Sequence, residues 1–425
     1  MKKNFLLIAL LGAFLLSACT QSNSTSEQSH FSDGFISNDS TQIDISGNLK
    51  VCDPFGSGGV STSQGYYYTT LRPDGNLNIH YLDYSSHTDI TLCNNPSCTH
   101  NDESCNSFIH SNGLIPGLAV VDQKLLIVGG GINISNPTAE DLPYIDTMDL
   151  NGSNRKRIYL ANASSELGAL ICDDKNFYTI ERTLENQTES PTLSQSLIRI
   201  DLKTGEKTFL TDMGENIVYP CSASGETLYY YSIEPEDPNK SFSDTITKYY
   251  SYNLTSGKTT LLDTISSNSQ KAITISSETF YIIDLENQQL IIKPINERNN
   301  SAERYLPLNT NLSNCFLRYI IDEKIILDGQ EKAADDTLQS TTYTIDLQTN
   351  TVQSWPLFYE SSASGRLMQV EILTDCGDSF LVRCGENPIE VTYAESGTYT
   401  MINSKYALIK KSDFWHGNET YTYFS

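Results

Sequence analysis

Basic charge is scarce in this chain: 28 Lys and Arg stand against 52 Asp and Glu, giving a formal charge of -24. So negative a chain repels phosphate backbones and anionic head groups, which excludes nucleic acid as a partner and leaves cations or basic surfaces as what it attracts. Histidine is scarcer still, at six residues. The common catalytic patterns are missing: there is no G-x-S-x-G elbow and no H-E-x-x-H zinc helix. "SGKTT" at Ser256–Thr260 has the ending of a phosphate-binding loop, but Tyr252 stands where its first glycine belongs. "GGG" at Gly129–Gly131 lacks the spacing of a dinucleotide loop, and His416 beside Trp415 reads as a packing residue. No catalytic residue is assigned.

The apolar run "FLLIALLGAFLL" is twelve residues long, short of the about 20 needed to span a bilayer. Preceded by the basic "MKKN", it reads as a signal peptide over residues 1–18. The "LSAC" that follows resembles the bacterial lipobox, and that resemblance implies a diacylglyceryl group on Cys19 as the mature N-terminus. Two acyl chains suffice for stable attachment, so the expected location is the outer face of the cell membrane, with the membrane contacted through the anchor alone. Thr20–Gln42 is polar and nearly free of aliphatic residues, which makes 19–42 a flexible lipidated tether. Once Lys2 and Lys3 leave with the signal, the charge becomes about -26.

Within residues 43–425 one element recurs: Asp or Asn, an apolar residue, a tight turn and a short β-rich run. It appears as "DYSSHTDITL" from Asp83, "DLNGSNRKRIYL" from Asp149, "DLKTGEKTFL" from Asp201, "NLTSGKTTLL" from Asn253 and "DLQTNTVQSW" from Asp346. Asp149, Asp201 and Asn253 lie 52 residues apart, and the 93 from Asn253 to Asp346 leave room for a degenerate copy around "KPINERNNSAERYLP". A second hairpin precedes each, as in "AVVDQKLLIV" and "YIIDEKIIL". Two hairpins per unit make a four-stranded antiparallel sheet, and units of this length are the signature of propeller blades. The expected fold is all-β, a β-propeller of seven four-stranded blades. Eight or six are the neighbouring counts, eight if "MINSKYALIKK" opens a further hairpin. Residues 43–52 are expected to supply the strand that closes the ring.

The blade type "YYYS…YNLTSGKTTLL", the segment "LCNNPSCTHNDESCNSF" and "YALIKKSDFW" together resemble the low-density-lipoprotein-receptor-like (YWTD-related) propellers of Gram-positive surface lipoproteins. The resemblance implies extracellular binding rather than a named reaction. This chain has no true YWTD tetrads, so the receptor-type ligand surface does not carry over.

Strand alternation places the loops between second and third strands on the same face as the links between blades. The long loops of that kind carry Glu140, Asp141, Glu185, Glu189, Glu234, Glu236, Asp237, Asp244, Glu331, Asp335 and Asp336, and are expected to form an acidic binding face. The spacing Asp83 to Asp149 is 66 rather than 52, a surplus about the size of "CNNPSCTHNDESC". That stretch is an expected insertion on the same rim, within 93–110.

Cys93, Cys98, His100 and Cys105 in it admit three readings. Export favours a disulfide, the Cys3His set is a recognised structural zinc combination, and free thiols are the third. We expect a structural staple, the disulfide ahead of the metal and the metal ahead of free thiols, with zinc as the one cofactor in question. Elsewhere, Cys172 and Cys221 read as small packing residues, Cys376 and Cys384 share a hairpin out of register, and Cys52 and Cys315 have no evident partner. The leading function is a tethered binding propeller for an extracellular protein, peptide or glycan. The alternative is an envelope enzyme, a hydrolase or a metal- or thiol-dependent catalyst, centred near His100.

Overall fold

The repeated Asp or Asn works through a turn that closes on itself. Asp83, Asp201 and Asp346 each accept, through Oδ1, the backbone N–H groups two and three residues on, and Asn253 accepts that of Ser256. The residue four positions on is His87, Gly205, Gly257 or Asn350. Each has positive φ, 56°, 74°, 64° and 57°, and donates its N–H back to the carbonyl of the Asp or Asn. A side chain that mimics a backbone turn, followed by one left-handed residue, reverses the strand within four residues. The preceding hairpins turn more tightly, with paired positive φ at Asp122–Gln123, Ser277–Glu278 and Asp322–Glu323, as two-residue hairpins require. Lys124 and Lys324, just after two of these turns, pair with Asp149 and Asp346 across the sheet.

In the computed structural model the described residues are 49–52, 58–110, 115–129, 142–185, 192–236, 245–295, 303–308, 312–332, 338–393 and 397–425. Every described residue lies in one compact unit, Ile43–Ser425. That unit is a β-propeller of seven four-stranded antiparallel blades. Blade 1 runs from Val60 to Thr91, blade 2 from Gly117 to Leu160, blade 3 from Ser165 to Asp212 and blade 4 from Val218 to Ser266. Blade 5 spans Lys271–Pro307, blade 6 Leu312–Ser354 and blade 7 Glu371–Tyr423. The expected degenerate copy supplies the third and fourth strands of blade 5, Gln289–Pro294 and Arg304–Pro307. "MINSKYALIKK" opens no eighth blade; it lies within Gly397–Lys410, the third strand of blade 7, and runs into the short helix Lys411–His416. A two-stranded hairpin, Phe358–Glu360 with Leu367–Gln369, sits between blades 6 and 7.

Among the described residues blades 1 and 7 share no strand. Residues 43–52 were expected to close the ring there, and the described part of them does not. Lys50–Val51 instead pairs antiparallel with Ile171 and Cys172 on the first strand of blade 3. Its two-residue ladder is extended by Cys52 N–H to Leu170 O and by Leu49 N–H to Gly225 O of blade 4. Lys50 and Val51 line two cavities inside the ring. One of about 590 Å³ is bounded by the first strands of blades 1, 2, 3 and 7, and one of about 260 Å³ by those of blades 4, 5 and 6. The strand therefore crosses the central channel and divides it.

The seam between blades 7 and 1 is closed by packing and by backbone capture. Tyr66, Tyr68 and Leu82 of blade 1 pack against Leu373, Leu381, Tyr406 and Leu408 of blade 7, with the rings of Tyr68 and Tyr406 edge-on at 4.7 Å between centroids. Asn403 accepts from Leu71 N–H and donates to Leu71 O, both at 2.9 Å. Thr392 N–H reaches Pro73 O, and the C-terminal Ser425 exchanges backbone hydrogen bonds with His87 and Asp89 at the outer edge of blade 1. Gly75, at φ +82°, lies so close to the Tyr393 ring that a Cβ would meet it at 2.6 Å. Asn403→Ala leaves both Leu71 backbone groups unpaired at the seam, an expected loss of about 2 kcal/mol. Urea denaturation followed by circular dichroism checks this; an unchanged midpoint would mean that the side chain does not hold the seam.

Candidate functional site

The Cys/His segment does not simply follow blade 1; it is spliced into that blade's fourth strand. Thr88–Thr91 pairs with His80–Asp83 of the third strand, and Leu92 N–H still reaches Ile79 O. The chain then leaves the sheet and returns as Phe108–Ile109, which pairs with Asn78 and Leu77 on the same row. The outer edge of the blade thus stays paired along its length while carrying a loop.

Two further Asx turns shape that loop. Asn95 Oδ1 accepts from Ser97 N–H, and Cys98 N–H bonds to Asn95 O. Asp102 Oδ1 accepts from Ser104 N–H, and Cys105 N–H bonds to Asp102 O. Each turn presents a cysteine three residues after the Asx. "NPSC" and "DESC" are therefore one repeated phrase, a signal in the sequence that the ligand count alone did not use. His100 lies between them in the left-handed region, φ 56°. Its N–H points at Cys98 Sγ (3.4 Å) and its Nδ1 lies 3.3 Å from Cys105 Sγ.

The ligand atoms of Cys93, Cys98, His100 and Cys105 all lie within 4.8 Å of one another, the one such cluster of three or more among the described residues. A tetrahedral zinc with ~2.3 Å bonds to sulfur holds its ligand atoms roughly 3.8 Å apart. A modest closing of the four side chains is all that such an ion asks. Cys105 is buried, while Cys93, Cys98 and His100 are half-buried. Burial alone would raise the Cys105 thiol, but hydrogen bonding with Ser107, His100 and Cys98 outweighs it and brings the thiol down to about 6. Burial and its neighbouring thiols push Cys93 up.

The loop is braced by residues that the sequence reading missed. The carbonyl of His100 accepts from Arg72 and from Asn78 Nδ2, and Arg72 is held in turn by Asp74. From blade 2, Arg155 donates to the carbonyls of Asn106 and Phe108 and at 2.9 Å to buried Asp146, which also holds Arg157. Asn106 Nδ2 returns a bond to Gly152 O at 2.8 Å. Two blades thus grip one loop. Beside it opens a cleft of about 420 Å³, whose walls include Glu103, Phe108, His110, Tyr144 and Arg157, with the Arg157 guanidinium stacked 3.9 Å over the Tyr144 ring.

The expected acidic face is only partly visible. Glu140, Asp141, Glu189, Asp237, Asp244, Asp335 and Asp336 lie outside the described residues, as does the side chain of Glu185. Glu234 is engaged by Lys248 at 2.6 Å and by Ser232, Glu236 is exposed, and Glu331 is half-buried. Of the other cysteines, Cys221 donates to Tyr229 O and packs in a separate cluster from Cys172. Cys52, which had no evident partner in the sequence, lies against Cys172.

No protein-family model matches the chain, and no curated protein does. Among solved structures it is similar to the acylaminoacyl peptidase of Pyrococcus horikoshii, at 8% identity over 86% of this chain and 52% of that one, with a TM-score of 0.45. Oligopeptidase B of Leishmania major is similar at 10% identity, over 90% and 49%, with a TM-score of 0.44. The α-L-arabinofuranosidase Arb93A of Fusarium graminearum matches at 11% identity, over 72% and 99%, with a TM-score of 0.30. The chain spans about half the length of the two peptidases. At these identities and scores the activities belong to those proteins and carry nothing over. The class that the fold defines is the seven-bladed β-propeller, and no comparison supports the receptor-like lipoprotein family in particular.

Because Arg155 joins the loop to Asp146, Arg155→Met removes the clamp and one of two partners of a buried carboxylate. A cost of roughly 2–4 kcal/mol is expected, with faster protease cleavage between Cys93 and Ser107, read by mass spectrometry of timed digests. Unchanged cleavage there would show that blade 2 does not brace the loop.

Proposed function

We propose that this chain is a lipid-anchored, extracytoplasmic binding propeller whose Cys3His centre holds a structural zinc ion. The observation that carries the reading is the convergence of four ligand atoms on a loop braced by two blades. A disulfide would consume two of the three thiols and leave His100 without a task. One zinc ion uses all four groups and ties both Asx turns to a single centre. Such a centre fixes the shape of a surface loop on a rigid ring, a common plan for a site; with all four positions filled by the chain, the zinc keeps none open for a substrate, which favours recognition over chemistry. The adjoining cleft, with an aromatic ring, a stacked guanidinium and a carboxylate, suits a peptide or glycan segment. The Gram-positive surface-lipoprotein resemblance and the lipobox at Cys19 point to the same setting.

A second reading rests on Cys105, whose low thiol pKa beside His100 is also what a thiol catalyst would need. Its burial at 3% exposure argues against a nucleophile that must meet substrate.

Elemental analysis of the chain purified without reductant or chelator should find one zinc per chain, lost in Cys98→Ser and in His100→Ala. On peptide and glycan arrays, binding should fall at least tenfold in the zinc-free variants while their far-ultraviolet circular dichroism is kept. A linkage between two of the three cysteines with no metal would overturn the zinc assignment, and hydrolysis of an array ligand by the wild-type chain would favour the enzyme. Anchoring has its own test: a palmitate analogue should label the wild-type chain in cells and leave Cys19→Ser unlabelled. Equal labelling of both would remove the lipoprotein assignment.

A further inference from the structure

The strand that crosses the channel is held by very little backbone. Its ladder is two residues long, with single hydrogen bonds beyond each end, and isolated pairing of that length is weak in water. Side-chain chemistry supplies more. The diagonal neighbours Cys52 and Cys172 bring their sulfurs to 2.6 Å, closer than two unbonded sulfur atoms pack and a small adjustment from the ~2.05 Å of a covalent bond. Cys172 is fully buried within a cluster of blades 2 and 3, and half-buried Cys52 packs against the same cluster. Both line the larger channel cavity of about 590 Å³.

We propose that Cys52 and Cys172 form a disulfide that locks the strand Lys50–Val51 into the channel. The pair is separated by 120 residues of chain, so the bond closes a covalent loop around the whole of blades 1 and 2. Among the described residues blade 1 meets blade 7 without a shared strand, and tying the segment ahead of blade 1 to blade 3 resists peeling of blade 1 from the ring. Removing closure entropy from the unfolded chain stabilises most when the loop is long.

The oxidant is a disulfide of low molecular mass or of a thiol–disulfide oxidoreductase. Cys52, the more exposed sulfur, loses its proton and attacks one sulfur of the oxidant, which breaks its S–S bond and releases one thiolate. Cys172, as the thiolate, then attacks Cys52 Sγ in the mixed disulfide, forming the Cys52–Cys172 bond and releasing the second thiolate. The two protons given up by the cysteines end on the two leaving thiols, so two thiols and one disulfide become one disulfide and two thiols. In the reduced chain hydrogen bonding with Cys52 lowers the Cys172 thiol pKa against the effect of burial; once Cys52 is in the mixed disulfide, the nearby charge of Lys50 is the lowering cause that remains.

The test uses the full chain, isolated without reductant and then incubated with oxidised glutathione. Alkylation, non-reducing digestion and mass spectrometry should yield a peptide linking Cys52 to Cys172. Peptide mapping, rather than thiol counting, keeps this bond separate from Cys93, Cys98 and Cys105. The thermal midpoint should drop on treatment with a phosphine reductant, and Cys52→Ser should start at the lowered value and show no further drop at that bond. Should Cys172→Ser fail to fold, Cys52→Ser at the half-buried partner and the mapping of the wild-type chain still decide. Alkylation of both Cys52 and Cys172 after glutathione treatment would overturn the proposal.

Discussion

Closure of the ring between blades 7 and 1 is the constraint on which the rest of the molecule depends. Each blade is an antiparallel sheet with two faces to bury, and the neighbouring blade is the only surface that can cover them. The chain contributes its blades in order, and among the described residues the first and the last meet without a hydrogen-bonded strand in common. The solution is distributed: an aromatic and aliphatic cluster around Tyr66, Tyr68 and Tyr406, the Asn403 side chain standing in for a strand partner of Leu71, and Ser425 pairing with the outer edge of blade 1. On the other flank of blade 7, Trp355, Phe380 and Phe414 form the core shared with blade 6. Lys411 and Trp415 of the short helix both reach Asp322 in the blade 6 turn.

A ring closed this way is a stiff platform, and the platform explains how the Cys/His loop is carried. Because the loop leaves and rejoins the same row of the fourth strand, it interrupts no pairing that blade 1 needs. Its position next to blade 2 gives Arg155 and Asn106 something to grip. The left-handed backbone at His100 turns its carbonyl toward Arg72 and Asn78 while its ring faces Cys105. The loop is thereby gripped from both sides, and four ligand atoms converge on it. The zinc proposed for the site rests on that scaffolding, which brings three thiols and one imidazole together.

Local rules were legible in the sequence. The Asp or Asn at the end of the third strand in blades 1, 2, 3, 4 and 6 acts on residues two to four positions away, so its recurrence reports the turn directly, and the 52-residue spacing follows from the blades it punctuates. The surplus between Asp83 and Asp149 reported an insertion for the same reason, and the ligand set within it is contiguous. Even the repeated Asx–x–Ser–Cys phrase was there to be read. What only the tertiary structure decided are the partnerships across long stretches of chain. Residues near 50 cross the channel to blade 3 instead of closing the ring, and Cys52 meets Cys172 across 120 residues. Asn403 finds Leu71, and Arg155 reaches back to the carbonyl of Phe108. No spacing or period encodes such contacts, because they depend on how seven sheets are arranged around an axis, and the free energy that selects that arrangement is summed over the whole closed ring.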